Sequence, residues 1–105
     1  MSIQKKYLPK KGVCRVQFQL PEDLAGSAAR AFVVGEFKDW NWVHLPMKKG
    51  KDGTFSATVE LPLGNQYEFR YLVNDTQWGN DSEADKHVPS PYGNSQNSVV
   101  VIEER

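Results

Sequence analysis

An all-β fold, a two-sheet antiparallel sandwich of about seven short strands, is what this sequence predicts. Apolar and polar residues alternate with period two along most of the chain, and no apolar stripe of period 3.6 outlasts a turn or so. Clusters of Gly, Pro, Asn and Asp cut the alternation into strand-sized pieces. With 105 residues, 39% of them apolar and 25% charged, the chain holds enough hydrophobic mass for one core, so all strands must share it.

Residues 1–12 carry Lys5, Lys6, Lys10 and Lys11 and read as a flexible, solvated arm, which leaves 13–105 as a single domain. In "VCRVQFQL", residues 13–20, Cys14, Val16, Phe18 and Leu20 fall on one face of a strand. "PEDLAGSA", 21–28, is a loop or a single helical turn. A strand over 30–35, with a buried-looking run at 32–34, ends at Gly35 and passes into a polar loop that carries Phe37, Trp40 and Trp42. A short strand at 47–49 precedes "KDG", a hairpin turn into 54–61, and "PLG" turns that strand into 66–73 as a second hairpin. Phe55, Ala57, Val59 and Leu61 share one face, as do Tyr67, Phe69, Tyr71 and Val73, and these residues form the core. "NDT", 74–76, makes a third tight turn ahead of a stub at Trp78. Residues 80–96 hold two prolines and no alternation, so they read as a long surface connection to the last strand at 98–103.

Thirteen Lys and Arg balance thirteen Asp and Glu. A neutral chain gains little long-range attraction for a polyanion, so neither nucleic acid nor an acidic membrane surface is expected as a partner. No apolar run approaches the roughly 18 residues of a membrane span, and no apolar signal core follows the N-terminal lysines. A cytoplasmic location is expected, and it is compatible with Cys14 being the only cysteine. That thiol reads as packed and inert.

Catalytic patterns are missing. His44 and His87 are the only histidines, and there is neither a Gly-x-Ser-x-Gly elbow nor a Gly-rich phosphate loop ahead of a helix. No cofactor and no catalytic residue are expected. Asp81, Glu83, Asp85 and His87 alternate, but their spacing fits neither a calcium loop nor a zinc site, so they read as a solvated acidic loop without metal. Paired carboxylates that hydrolyse a glycoside need a rigid concave site, which so small a sandwich rarely builds.

The aromatic residues say more. Trp40 follows the second strand, and Trp78 stands beside Gln77, Gly79 and Asn80. Either alone reads equally well as a cap on the end of the core. Together, indoles beside amides suit a pyranose, whose apolar C–H face stacks on a flat ring while its hydroxyl rim pairs with polar side chains.

"VVGEFKDWN" with "LPM", then "DGTFSATVELPLGNQYEFRYLVNDTQW" and "YGNSQNSVVV", resemble the family 48 carbohydrate-binding modules. These are early-set, immunoglobulin-like domains found in glycogen branching and debranching enzymes and in the β subunits of AMP-activated protein kinase. The resemblance covers about 13–102 and implies an immunoglobulin-like sandwich that binds α-glucan without catalysis. It assigns sugar platforms to Trp40 and Trp78 and a basic hydroxyl donor to Arg70, where the kinase modules have lysine. Asn97 matches the asparagine before the last strand, and Tyr92 stands where some members have a leucine that enters a ring of glucoses. Trp42 has no counterpart and reads as packing against its loop. The implied partners are α-1,4-linked glucans (glycogen, maltodextrin, cyclodextrin) and a glycogen-metabolising enzyme.

Beginning at Met1 and ending soon after the last strand, with no catalytic barrel, the chain reads as a free-standing module. Two other classes fit the same residues: an accessory domain acting with a separate glycoside hydrolase or branching enzyme, or a protein-interaction sandwich that has lost glucan binding.

Overall fold

The computed structural model describes residues 2–26, 28–38, 41–90 and 95–104. Among them are ten strands: β1 (Ile3–Leu8), β2 (Val13–Gln19), β3 (Ala31–Lys38), β4 (Asn41–Pro46), β5 (Lys48–Lys49), β6 (Phe55–Pro62), β7 (Asn65–Val73), β8 (Gln77–Gly79), β9 (Lys86–Pro89) and β10 (Gln96–Ile102). The helical turn foreseen after β2 is α1 (Glu22–Ala25). One sheet runs β1-β2-β6-β5 and the other β4-β3-β7-β10-β9, with β8 paired to the second half of β7. Every pair is antiparallel.

The sheets close on the side chains that the alternation assigned to the interior. Phe18 of β2 reaches across, its ring 4.9 Å from that of Phe69 and 5.4 Å from that of Phe37 on the opposite sheet. Phe69 meets Tyr71 edge-on at 5.7 Å. Such tilted and edge contacts suit the ring quadrupoles. Cys14 is fully buried in this layer. At 74–76 the expected tight turn has φ of 52° at Asn74 and 65° at Asp75, with the Thr76 N–H donating to Val73 O at 3.2 Å. Two positive φ values make it the type I′ turn that matches strand twist, and it closes the β7–β8 hairpin.

Four readings are corrected. The N-terminal stretch is no flexible arm: β1 pairs with β2 from Ile3↔Phe18 to Leu8↔Val13. Ile3 and Tyr7 pack on the core, and Lys5 reaches the carboxylate of Asp85 and the carbonyl of Val101, both at 2.8 Å. Lysines on an edge strand block sheet-to-sheet association, so they do not argue against a strand.

The polar loop after Gly35 is also largely strand. Phe37 is buried on β3, and a Cβ at Gly35 would land on its ring, so that position needs glycine. β4 then pairs back along β3, with a register shift between Gly35 and Lys38.

"PLG" is a corner and not a hairpin, because β6 and β7 belong to opposite sheets. Gly64, at φ 77°, turns the chain, and the Tyr67 hydroxyl donates to Pro62 O at 3.0 Å across the corner. Turn residues specify a reversal but not which sheet receives the next strand.

The connection over 80–96 contains β9, and its acidic residues are not simply solvated. Asp81 is fully buried. Its carboxylate accepts from the Ser2 hydroxyl at 2.6 Å, the Glu83 N–H at 2.9 Å and the Tyr71 hydroxyl at 2.9 Å. Burial, and after it the nearby Asp81 carboxylate, holds the Tyr71 hydroxyl protonated far above the ordinary tyrosine range. His87 Nε2 lies 2.7 Å from Asp81 O. Among the described residues no cluster of three or more His, Cys, Asp or Glu is arranged to hold a metal ion.

Candidate functional site

Strand parity builds the site. On β7, Tyr67, Phe69, Tyr71 and Val73 point into the core, so Glu68, Arg70 and Leu72 stand on the outer face of the larger sheet. Register extends that face sideways. Val34 of β3 is opposite Arg70, and His44 of β4 is opposite Val34. Ser98 is opposite Phe69, which sets Asn97 of β10 beside Arg70. Trp78 of β8 is opposite Leu72. Val43 and Leu45 pack on the core, so Trp42 faces outward with His44.

These side chains enclose a groove of about 500 Å³ lined by Val34, Trp42, Arg70, Trp78, Ser90 and Asn97. Trp42 and Trp78 are its exposed walls, at 45% and 49% of their full accessibility. They are the exposed large hydrophobic residues among those described. The Arg70 guanidinium lies 5.9 Å from the centroid of the Trp78 ring. Its Nε is sealed from solvent and, among the described residues, has no hydrogen-bond partner and no ion pair.

The floor is braced from the side. Asn97 is buried and donates through Nδ2 to Glu68 Oε1 at 2.9 Å, while the Glu68 N–H donates to Glu36 Oε1 at 2.9 Å where β3 leaves the ladder. β8 is seated by Leu24, which occupies the space a Cβ at Gly79 would need. From its far end the Asp81 network continues through Ser98, whose hydroxyl takes the Asp81 N–H at 2.9 Å and donates to Asn80 Oδ1 at 3.1 Å.

Of the residues proposed from sequence, Arg70, Trp78 and Asn97 therefore meet in one groove. Trp40 and Tyr92 lie outside the described residues. Trp42, read as packing against its loop, stands on the groove wall instead. The signal for it was present in "NWVHLP": with Val43 and Leu45 inward, Trp42 must face outward.

Chemically, the walls offer flat apolar faces, and the floor offers a guanidinium, an amide and a hydroxyl. Among the described lining residues there is no carboxylate, imidazole or thiol to move a proton or attack a bond. A family model for the glycogen recognition site of AMP-activated protein kinase matches residues 23–105. The chain belongs to that family. It is a carbohydrate-binding module of the glycogen-recognition type.

Solved structures agree with the module's fold. A pullulanase from Paenibacillus barengoltzii, crystallised in its apo form, is 31% identical over 91% of the module and 14% of the pullulanase, with a TM-score of 0.51. The same pullulanase in complex with maltohexaose and α-cyclodextrin aligns at 30% identity over 93% of the module and 14% of that chain, TM-score 0.52. A pullulanase from Anoxybacillus sp. LM18-11, in complex with maltotetraose, shares the fold at TM-score 0.62 and 19% identity, over 94% of the module and 13% of that chain. The module thus spans about one-seventh of each pullulanase. No curated protein matches it.

Proposed function

We propose that the module binds α-1,4-linked glucans, glycogen foremost, by laying glucose units along the groove between Trp42 and Trp78. The observation that carries this reading is the placement of two half-exposed indoles on either side of Arg70, whose guanidinium has no counter-ion among the described residues. Stacked sugars cover the indoles, and the floor pairs with hydroxyls. Maltohexaose and α-cyclodextrin accompany a 30%-identical pullulanase, which supports α-glucan as the ligand class. On the resemblance described above, Trp40 is a further platform and Tyr92 a further ring contact. The module is proposed to act in the cytoplasm beside a glycogen-metabolising enzyme, a role supported by the similarity to parts of pullulanases.

Half-covering two indoles is worth about 2–3 kcal/mol, and polar contacts bring the total to about 4–6 kcal/mol. That corresponds to dissociation constants from about millimolar to high micromolar, so firm attachment needs a polymer that offers many chains. Glycogen co-sedimentation tests the reading. The wild type should pellet with glycogen and be released by soluble maltodextrin, and a protein that stays in the supernatant at millimolar glucose equivalents would exclude it.

A further inference from the structure

We infer that Leu24 is a positioning residue for Trp78: α1 and residues 28–30 brace β8 from the side away from the groove, and the strength of binding in the groove depends on that brace. This rests on the glucan reading above and adds residues that do not line the groove.

Parity puts the two side chains on opposite faces of β8. Trp78 is opposite Leu72 and points outward, so the side-chain position of its neighbour Gly79, opposite buried Tyr71, turns toward the core. Leu24 takes the space that Gly79 leaves. A Cβ there would meet Leu24 Cδ2 at 2.6 Å, Cδ1 at 2.7 Å and Cγ at 3.2 Å. Leu24 thus backs the strand that carries the indole, and it is not among the residues that line the groove.

The brace is anchored along its length. At its base the Leu20 N–H donates to Phe55 O of the smaller sheet at 3.0 Å, and the N–H groups of Leu24 and Ala25 both donate to Pro21 O at 3.0 Å. Beyond α1, Asn74 Oδ1 accepts from the N–H of Ala29 at 2.8 Å and of Arg30 at 3.3 Å. The Asn74 N–H returns a bond to Arg30 O at 3.0 Å, and Arg30 Nε lies 3.3 Å from Asp75 Oδ1. Asn74 and Asp75 belong to the turn of the β7–β8 hairpin, whereas Gly79 is at its open end. The hairpin is therefore gripped at both.

β8 needs such support, because it has three residues and pairs with β7 alone among the described strands. A tilt of so short a strand carries the half-exposed indole with it. Flat platforms bind best when they are held before the ligand arrives, since ordering a side chain on binding lowers affinity.

The test is titration with maltohexaose of wild type, Leu24→Ala, Leu24→Met, Gly79→Ala and the variant that combines Leu24→Ala with Gly79→Ala. Val16→Ala, at a fully buried position on β2, is the control for lost core packing. Leu24→Ala should weaken binding by about three- to ten-fold and shift or broaden the Trp78 indole N–H resonance of the free protein, and Leu24→Met should restore most of both. Val16→Ala should lower the melting temperature at least as far and keep affinity within about two-fold of wild type. Gly79→Ala alone should also weaken binding, but in the Leu24→Ala background its methyl enters vacated space and should cost nothing further. The brace is overturned if Leu24→Ala binds as wild type does, if Val16→Ala weakens binding equally, or if Gly79→Ala costs the same in both backgrounds. Those results leave glucan binding standing. A wild type that binds no maltohexaose at tens of millimolar removes the glucan reading instead, and this inference with it. Should Leu24→Ala fold poorly, Leu24→Val makes the same comparison with a smaller truncation.

Discussion

Arg70 lies with its guanidinium 5.9 Å from the Trp78 ring centroid, and its Nε–H is sealed from water without an acceptor among the described residues. The stack fixes the indole and the cation together on the groove floor. Its attraction, about 0.5–2 kcal/mol, is set against about 1–3 kcal/mol for leaving a buried donor unsatisfied. A group retained at such a cost points to binding, and the stability of variants can show it.

Arg70→Met is accordingly expected to keep or slightly raise stability, by up to about 1 kcal/mol, while weakening glycogen binding several-fold. Urea unfolding beside glycogen pelleting checks both halves. Loss of more than about 1 kcal/mol with binding intact would make Arg70 structural.

Trp78→Ala should reduce glycogen binding by about ten-fold or more and cost no more than about 1 kcal/mol of stability, because half of the side chain is already exposed. Phe69, fully buried against Phe18 and Tyr71, is the contrast: Phe69→Ala should cost about 3–5 kcal/mol. Thermal melts separate the two, and a Trp78→Ala midpoint as low as that of Phe69→Ala would make Trp78 part of the core.

Alkaline pH should unfold the protein through Tyr71. In the unfolded chain its hydroxyl ionises near the ordinary tyrosine value of about 10, whereas in the fold burial and Asp81 keep it protonated. The folded state then holds the extra proton. Its stabilising contribution is complete below about pH 10 and falls by up to about 1.4 kcal/mol per pH unit above it. Tyr71→Phe should be less stable near neutral pH, since Asp81 loses a donor, yet decline more shallowly above about pH 10. Urea midpoints on both sides of that pH measure the slopes, and parallel slopes would exclude Tyr71 as the titrating group.

Selectivity should follow the lie of the two indole walls. Trp42 and Trp78 come from different strands and levels, so inclined platforms suit a curling α-1,4-glucan better than a flat β-1,4 chain. β-Cyclodextrin is expected to bind more tightly than a cello-oligosaccharide of equal length. Raising salt to about physiological strength should change affinity little, because the ligand is uncharged. Equal binding of the cello-oligosaccharide, or a steep salt dependence, would contradict this.

Legibility in the sequence tracked how local the cause was. The faces of β2, β6 and β7 could be read because alternation over seven or more residues has one physical outcome, burial of one side. β1 and β4 were hidden because both are short edge strands with Lys or Trp on view, so their apolar sides amount to Ile3 and Tyr7 or Val43 and Leu45. The corner at Pro62 and the burial of Asp81 depend on partners far along the chain, Ser2 and Tyr71 among them. Arg70, Trp78 and Asn97 were reached through family motifs, whereas Trp42 needed the strand beneath it.

Deleting residues 2–8 should lower the melting temperature by tens of degrees or prevent folding, since it uncovers the β2 edge and removes a donor from buried Asp81. A shift of only a few degrees would return these residues to the status of an arm.

The stitching of β1 to residues 81–103 also bears on the order of folding. Ser2 bonds to Asp81, Lys5 to Val101, and the Tyr7 hydroxyl takes the Glu103 N–H, across 79, 96 and 96 positions respectively. β1 can pair early with the neighbouring β2, from Ile3 opposite Phe18 to Leu8 opposite Val13, but the bonds from Ser2, Lys5 and Tyr7 must wait for residues 81–103. Lys5 and Lys6 keep that edge soluble meanwhile, so a feature of the finished sheet also guards the partly folded one.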